Sequence, residues 1–263
     1  KQFTNILNDK SIFQQTALRL TSSEVIKFKP HITLTNSDFR FFVVQQLSEA
    51  GINPGPIIIE PEMKNTAPAI LASALYAYTE NPDSILLVAP TDHLINNEVE
   101  FHHAVKEGLR CVMEGNIVTF GIFPSHPETA YGYLELEKLN LNTAEKVIRF
   151  IEKPNKSVAE DMISKGNFLW NSGIFLFKAK DMIEAFKKYD KETLPKIEES
   201  LNKSKIDLGF IKLDPISWSK SRNISIDFAI MEKAQNLVAV PYASKWSDLG
   251  GWDAVWSESE LDK

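Results

Sequence analysis

Two aspartates have the setting that phosphate chemistry asks for. Asp92 closes Leu87-Val88-Ala89-Pro90-Thr91-Asp92-His93, directly after an apolar run. Parallel α/β sheets take ligands beyond the carboxyl ends of their strands. A carboxylate there can hold a divalent cation against phosphates, and Mg2+ suits one or two carboxylates plus substrate oxygens. A cap on the following turn is an equal reading from position alone. Asp248 lies in Lys245-Trp246-Ser247-Asp248-Leu249-Gly250-Gly251-Trp252, after an extended run over 237–242. Taken singly it reads as a turn or N-cap residue, and its case as a metal ligand rests on partnership with Asp92.

Three further motifs carry polar groups to strand or helix ends. Asn65-Thr66-Ala67-Pro68 opens a helix, whose first amides can receive an anion or the polar edge of a base. Thr66 is equally a plain N-cap. Ile151-Glu152-Lys153-Pro154 ends a strand. Lys153 there can neutralise a phosphate and Glu152 can accept from sugar hydroxyls, while a surface ion pair beside a turn proline is the commoner fate of such a dipeptide. Trp170-Asn171-Ser172-Gly173 sets an amide in an apolar strand. A buried Asn needs partners, and neighbouring backbone is favoured here over sugar hydroxyls. His93, His102 and His103 lack the second cluster a zinc site needs. No Gly-x-Ser-x-Gly elbow, P-loop or Gly-x-Gly-x-x-Gly run is present.

Short apolar strands alternate with helical stretches and so place these residues. Strands are expected at 31–35, 57–59, 84–89 and 116–121, with helices at 37–50, 67–78 and 99–113. Ser37 is the expected cap of the first helix. Continuous apolar strands mean both sheet faces are covered, and the alternation argues for an α/β fold with a mainly parallel sheet. The second half differs. Residues 131–136 and part of 147–152 alternate, 168–177 is a long extended stretch, and together they suggest a smaller mixed sheet. Helices are expected at 158–165, 180–189, 192–202 and 226–235. The whole reads as one domain with two lobes, about 1–125 and about 126–263.

The bulk properties agree. The chain has 263 residues, 43% hydrophobic content and a formal net charge of −6. That charge argues against nucleic-acid binding through a general basic field. The single cysteine, Cys111, rules out an intrachain disulfide and suits a reducing compartment. It reads as a small buried residue rather than a nucleophile. No window approaches the roughly 18 apolar residues of a membrane span, and the first residues do not look like a signal peptide. The expected location is the cytoplasm, with no membrane partner.

The order of motifs adds what spacing alone does not. Asn65-Thr66-Ala67-Pro68-Ala69, Ala89-Pro90-Thr91-Asp92-His93, Tyr131-Gly132-Tyr133, Phe150-Ile151-Glu152-Lys153-Pro154, Trp170-Asn171-Ser172-Gly173-Ile174-Phe175, Ser225-Ile226-Asp227-Phe228-Ala229 and Trp246-Ser247-Asp248-Leu249-Gly250 follow one another along nearly the whole chain. This set resembles the bacterial mannose-1-phosphate guanylyltransferases, including those fused to a phosphomannose isomerase domain. The resemblance implies a Rossmann-like nucleotide-diphospho-sugar transferase fold, its mainly parallel central sheet flanked by helices and a smaller mixed sheet serving the sugar. It implies GTP and α-D-mannose 1-phosphate as substrates, and GDP-mannose and pyrophosphate as products. Positioning and charge neutralisation would carry the catalysis.

By motif match, Asp92 and Asp248 would hold Mg2+ and form the catalytic set with Lys153. Asn65, Thr66 and Ala67 would lie at the nucleotide with Asp92. Gly132, Glu152, Lys153 and Asn171 would take the sugar phosphate. Lys1 matches the last lysine of the family's nucleotide loop. Ahead of that lysine, family members carry a strand and a glycine- and arginine-bearing loop, and longer members add a β-helical extension and an isomerase domain. The sequence matches neither segment. A homodimer is compatible with the resemblance. The competing expectations are a transferase for another hexose 1-phosphate, and a non-catalytic module that binds sugar phosphate or serves in assembly.

Overall fold

A computed structural model describes residues 2–5, 9–140 and 143–249. In chain order the elements are α1 (Ile12–Arg19), β1 (Thr33–Asn36), α2 (Arg40–Glu49), β2 (Ile57–Glu60), α3 (Thr66–Glu80), β3 (Ile85–Val88), β4 (Leu94–Ile95) and α4 (Glu98–Met113). There follow β5 (Ile117–Ile122), β6 (Gly132–Leu136), β7 (Glu145–Glu152), α5 (Lys156–Lys165), β8 (Phe168–Lys178), α6 (Ala179–Tyr189) and α7 (Thr193–Asn202). The last are β9 (Lys205–Asp207), β10 (Phe210–Lys212), α8 (Pro215–Ser219), a π-turn at Asp227–Met231, β11 (Leu237–Tyr242) and β12 (Trp246–Ser247).

Local chemistry sets many of these boundaries. Asn97 caps α4 by accepting from the Glu100 amide, Glu98 and Glu100 sit in its first turn, and Arg110 lies in its last. That order of charge complements the helix dipole. Asn155 caps α5, and Gly166 ends it in the left-handed conformation. Among the elements the sequence reading did not anticipate, α1 opens with a capping box in which Ser11 and Gln14 satisfy each other's backbone amides. The cap expected at Ser37 does not form, and α2 has no side-chain cap at its N-cap residue, Phe39. Asn36 Oδ1 accepts from the amides of Asp38 and Phe39, and α2 begins only at Arg40.

The six-stranded sheet has the order β3-β8-β5-β11-β7-β6, with β6 also pairing β8. Strands β3, β5, β6 and β11 run one way, with β7 and β8 against them. The parallel character is therefore one of strand direction. Most direct neighbours are antiparallel, because β8 inserts between β3 and β5. The mixed strands expected in the second half, β6 and β7, extend this same sheet. A four-stranded sheet, β1-β2-β10-β9, is parallel except for its last pair. Pairing crosses residue 125 in both sheets, because β3 and β5 join β8, and β10 joins β2.

Strand β5 is buried at every position, whereas β3 is only half-buried and Ile85 is 37% exposed. The difference is positional: among the described residues β3 ends its sheet, so its apolar residues are covered on fewer sides than expected. Helices α3, α6 and α7 pack on one face, where Leu71, Phe177, Phe186, Ile197 and Trp218 form the larger core. Helix α4 covers the other face around Phe101, Phe120 and Leu176. The helix expected at 226–235 is a single π-turn followed by ordinary turns. Ile226, Ala229, Ile230 and Met231 still face the core, which is why the pattern reads as a helix. Among the described residues no helix is long and apolar enough to cross a membrane.

Candidate active site

The β4–β12 pair brings the loop that carries Asp92 beside the segment that carries Asp248. Its antiparallel register sets Leu94 against Ser247 and Ile95 against Trp246. Continuing one step along each strand sets His93 against Asp248, with Asp92 adjoining. Asp92 and Asp248, 156 positions apart in sequence, thus flank this strand pair. Trp246 Nε1 donates to His93 Nδ1 at 3.4 Å, and the two rings meet edge to face. Tyr131 donates its hydroxyl to Asp248 Oδ1 at 2.9 Å. Burial, reinforced by the Asp248 charge, pushes the Tyr131 phenol far above its ordinary value, so it remains a donor. Arg19, at the end of α1, supports the loop from behind by donating to the His93 carbonyl at 3.4 Å. Burial lowers the Arg19 guanidinium to about 10, with Glu98 and Tyr242 opposing that shift. Arg19 was not anticipated, because an arginine in an amphipathic helix gives no sign that it faces inward.

A second polar cluster lies where β6, β7 and β8 meet. Gly132 pairs with Glu152 across β6 and β7. A Cβ on Gly132 would lie 2.6 Å from Glu152 Oε2 and 3.1 Å from the Phe150 ring. The absent side chain therefore makes room for the Glu152 carboxylate. Lys153 has a positive φ of 49°, and its Nζ lies 3.4 Å from Glu152 Oε1. The ammonium side chain is 61% exposed while that of Glu152 is 10% exposed. This is an ion pair beside a turn proline in which the carboxylate is largely covered and the ammonium reaches outward.

Asn171 is buried, and its partners are side chains rather than the expected backbone. It accepts from Thr119 Oγ1 at 2.8 Å and donates to Asp227 Oδ1 at 3.1 Å. The backbone alternative fails because β8 changes neighbours here: a register shift interrupts its pairing with β5, and Gly173 has a φ of +71°. Asp227 is the principal residue the sequence reading did not assign a role. It begins the π-turn, a feature that often marks functional sites. Burial holds the Asp227 carboxyl above the usual range, with opposition from its own backbone, Lys153, Ser225 and Asn171. Glu152 is raised by burial first and by Asp227 next.

The helix start at α3 forms the third part. Asn65 adopts a positive φ of 66° and accepts from the Thr66 amide at 2.9 Å. Thr66 Oγ1 accepts from the Ile226 amide, and the Ala67 amide donates to the Ile224 carbonyl. Ala67 is fully buried, so it anchors the helix start, and Asn65 and Thr66 remain at the surface. These bonds tie α3 to the segment that leads into Asp227. Glu60, at the end of β2, was also not anticipated. Burial pushes its carboxyl up to about 7. Lys1 lies outside the described residues.

The three parts adjoin. A Cβ on Gly173 would lie 3.8 Å from the His93 ring and 4.0 Å from Pro90, which sets the Asn171 strand against the Asp92 loop. Tyr131 packs edge to face on both Trp170 and Trp246. One corner thus offers carboxylate oxygens, the next a carboxyl–amide–lysine cluster, and the third a capped helix start. Among the described residues no group of three or more His, Cys, Asp or Glu is placed to hold a metal, so any cation here would take its remaining ligands from phosphate or water.

A family model described as nucleotidyl transferase matches residues 1–263. The chain is 40% identical over 272 residues to mannose-1-phosphate guanylyltransferase 2 of Escherichia coli O157:H7, covering all of this chain and 56% of that protein. It is 38% identical over 263 residues to the xanthan biosynthesis protein XanB of Xanthomonas campestris, again over all of this chain and 55% of that protein. The chain therefore spans about half the length of these curated relatives. A crystal structure described as mannose-6-phosphate isomerase from Helicobacter pylori superimposes with a TM-score of 0.83 at 28% identity, covering 94% of each chain.

Proposed function

The chain belongs to the nucleotidyl transferase family, and on that premise we propose that it makes GDP-mannose and pyrophosphate from GTP and α-D-mannose 1-phosphate. A phosphate oxygen of the sugar phosphate attacks the α-phosphorus of GTP in line. The bond from that phosphorus to the bridging oxygen breaks, and pyrophosphate leaves with the electron pair. The single observation that supports this reading best is the β4–β12 register, which sets Asp248 beside the Asp92 loop. Two carboxylates together with phosphate oxygens would make a donor set that suits Mg2+. Bound by Asp92 and Asp248, Mg2+ would screen the repulsion between two anionic reactants and offset charge developing on the phosphoryl group.

The remaining roles follow from position. Lys153 extends outward and neutralises the phosphate of the sugar. Glu152 and Asn171 accept from and donate to mannose hydroxyls, with Asp227 and Thr119 holding the Asn171 amide in one orientation. Gly132 keeps the space for Glu152. Asn65 and Thr66 face the nucleotide at the start of α3. The product is a mannosyl donor for polysaccharide assembly, the use to which the name of the xanthan relative points. Cytoplasmic synthesis agrees with the lone thiol at Cys111.

The test is pyrophosphate release by the purified protein with GTP, mannose 1-phosphate and Mg2+. Turnover with this pair exceeds that with other nucleotides and hexose 1-phosphates. Asp92→Asn and Asp248→Asn each lower kcat by about 100-fold or more while leaving the melting temperature in place. Absence of turnover in the wild-type protein, or wild-type rates in Asp92→Asn at limiting Mg2+, overturns the proposal.

A further inference from the structure

A single tyrosine bonds to both halves of the candidate site. Tyr131 stands just before β6, and Gly132 follows it into the pairing with Glu152. The Tyr131 carbonyl accepts from the Lys153 amide at 3.2 Å. Lys153 has a positive φ of 49°, a conformation that residues with a Cβ adopt rarely and that surrounding bonds must hold. The Tyr131 carbonyl supplies one such bond. At its other end the same residue donates its hydroxyl to Asp248 Oδ1 at 2.9 Å, across a separation of 117 positions in sequence.

The ring between these two bonds is wedged. It meets Trp170 of β8 edge to face at 5.2 Å between centroids, and Trp246 of β12 at 5.3 Å. Trp246 in turn donates to His93, the neighbour of Asp92. A phenol oxygen lies on the axis from Cβ to Cγ, so rotation of the ring leaves it in place. The hydroxyl is therefore a donor at a fixed point, set by the start of β6 and by packing on two indoles.

An aspartate that binds a cation gains from such a donor. The terminal torsion of its side chain is broad, so a carboxylate without a fixed partner presents its oxygens over a range of angles. A hydrogen bond to one oxygen selects an orientation, and bonds to an ionised acceptor are roughly twice as strong as neutral ones. Partners of this kind orient metal ligands, and their loss typically costs about 10–100-fold in metal affinity. A covered tyrosine hydroxyl needs an acceptor in any protein. For Tyr133, two residues on, the Glu128 carbonyl serves at 2.9 Å. Tyr131 reaches instead to a carboxylate that lies directly after β12.

On the proposed reading of Asp92 and Asp248 as ligands of the cation, on which this rests, we infer that Tyr131 is the positioning residue of the centre. Its hydroxyl aims the Asp248 carboxylate, and its carbonyl holds the backbone of Lys153, the residue proposed to meet the sugar phosphate. One residue thus sets the cation and the sugar phosphate in register.

Mn2+ binding to the purified protein, followed by electron paramagnetic resonance with GDP-mannose present, reads the metal centre without turnover. Tyr131→Phe keeps the ring and the backbone and removes only the hydroxyl. Its Mn2+ dissociation constant rises about tenfold or more, and the Mg2+ concentration for half-maximal turnover rises in parallel. Asp248→Asn weakens Mn2+ binding at least as much. Tyr133→Phe loses a hydroxyl bond of the same length and binds Mn2+ as the wild type does, which separates positioning from a general loss of stability. Wild-type Mn2+ affinity in Tyr131→Phe beside weakened binding in Asp248→Asn overturns the inference and leaves the proposed function standing. Wild-type affinity in Asp248→Asn overturns the proposed metal site and the inference with it. Equal weakening in Tyr131→Phe and Tyr133→Phe also overturns the inference, since loss of either hydroxyl would then act alike.

Discussion

At the scale of single residues, the candidate site is governed by what surrounds its carboxyl groups. Glu152 and Asp227 are held above the usual range chiefly by burial, and Glu60 is pushed up to about 7 by the same cause. For such a group the folded protein binds its proton more tightly than the unfolded chain does. The stabilisation is present below the unfolded value and declines as pH rises through the window up to the folded value. For Glu60 that window runs from 4.5 to about 7. Glu60→Gln removes this slope. Its melting temperature matches the wild type near the bottom of the window and exceeds it by a few °C at about pH 8. Thermal melts across pH check this, and parallel curves for the two proteins would show that Glu60 is not desolvated. Asp92 stands out in the sequence because it follows an apolar strand, a position that suits a metal ligand and a turn cap equally. Glu60 and Arg19 do not, since their significance lies in burial, and burial depends on distant segments.

At the scale of elements, strand pairing decides which residues can cooperate. The register of β6 on β7 places Gly132 against Glu152, and the missing Cβ is the condition for the carboxylate's position. Gly132→Ala must displace either Glu152 or Phe150. The expected cost is about 1–3 kcal/mol of stability; on the proposed reaction it is accompanied by a KM for mannose 1-phosphate raised at least tenfold, with the KM for GTP little changed. Steady-state kinetics with each substrate varied in turn measure the difference, and an equal rise in both constants would place Gly132 outside the sugar subsite. The longer strands and most helices are readable from periodicity. The π-turn is not, because Ile226, Ala229 and Ile230 have helical spacing whether the turn is wide or regular. The β9–β10 hairpin escaped notice too, since three-residue strands carry almost no pattern.

At the scale of the whole molecule, the two sheets and their helices share a large apolar core that includes residues from both halves of the sequence. Cys111 reports on that core. It sits inside α4, only 8% exposed, and burial raises its thiol first, with Glu107 adding to the shift. A thiol reagent of moderate size therefore modifies the native protein at least about 100-fold more slowly than the protein in denaturant, with a rate that follows opening of the fold. Rapid modification under native conditions would mean that α4 detaches independently of the sheet. The expected boundary near residue 125 has no counterpart in the strand pairing, because a change of texture along a sequence says nothing about which strands become neighbours.

What the linear sequence settled was the class of fold, the family and the identity of most polar residues at strand and helix ends. These follow from local periodicity and from motifs a few residues long. What only the folded chain decided was convergence. Asp248 reaches the Asp92 loop because two two-residue strands pair, Asn171 meets Thr119 and Asp227 because β8 changes partners at Gly173, and Glu152 occupies the space Gly132 leaves. Each of these contacts joins distant positions through hydrogen bonds and packing, which depend on the positions of atoms in space and leave no trace in the spacing of residues along the chain.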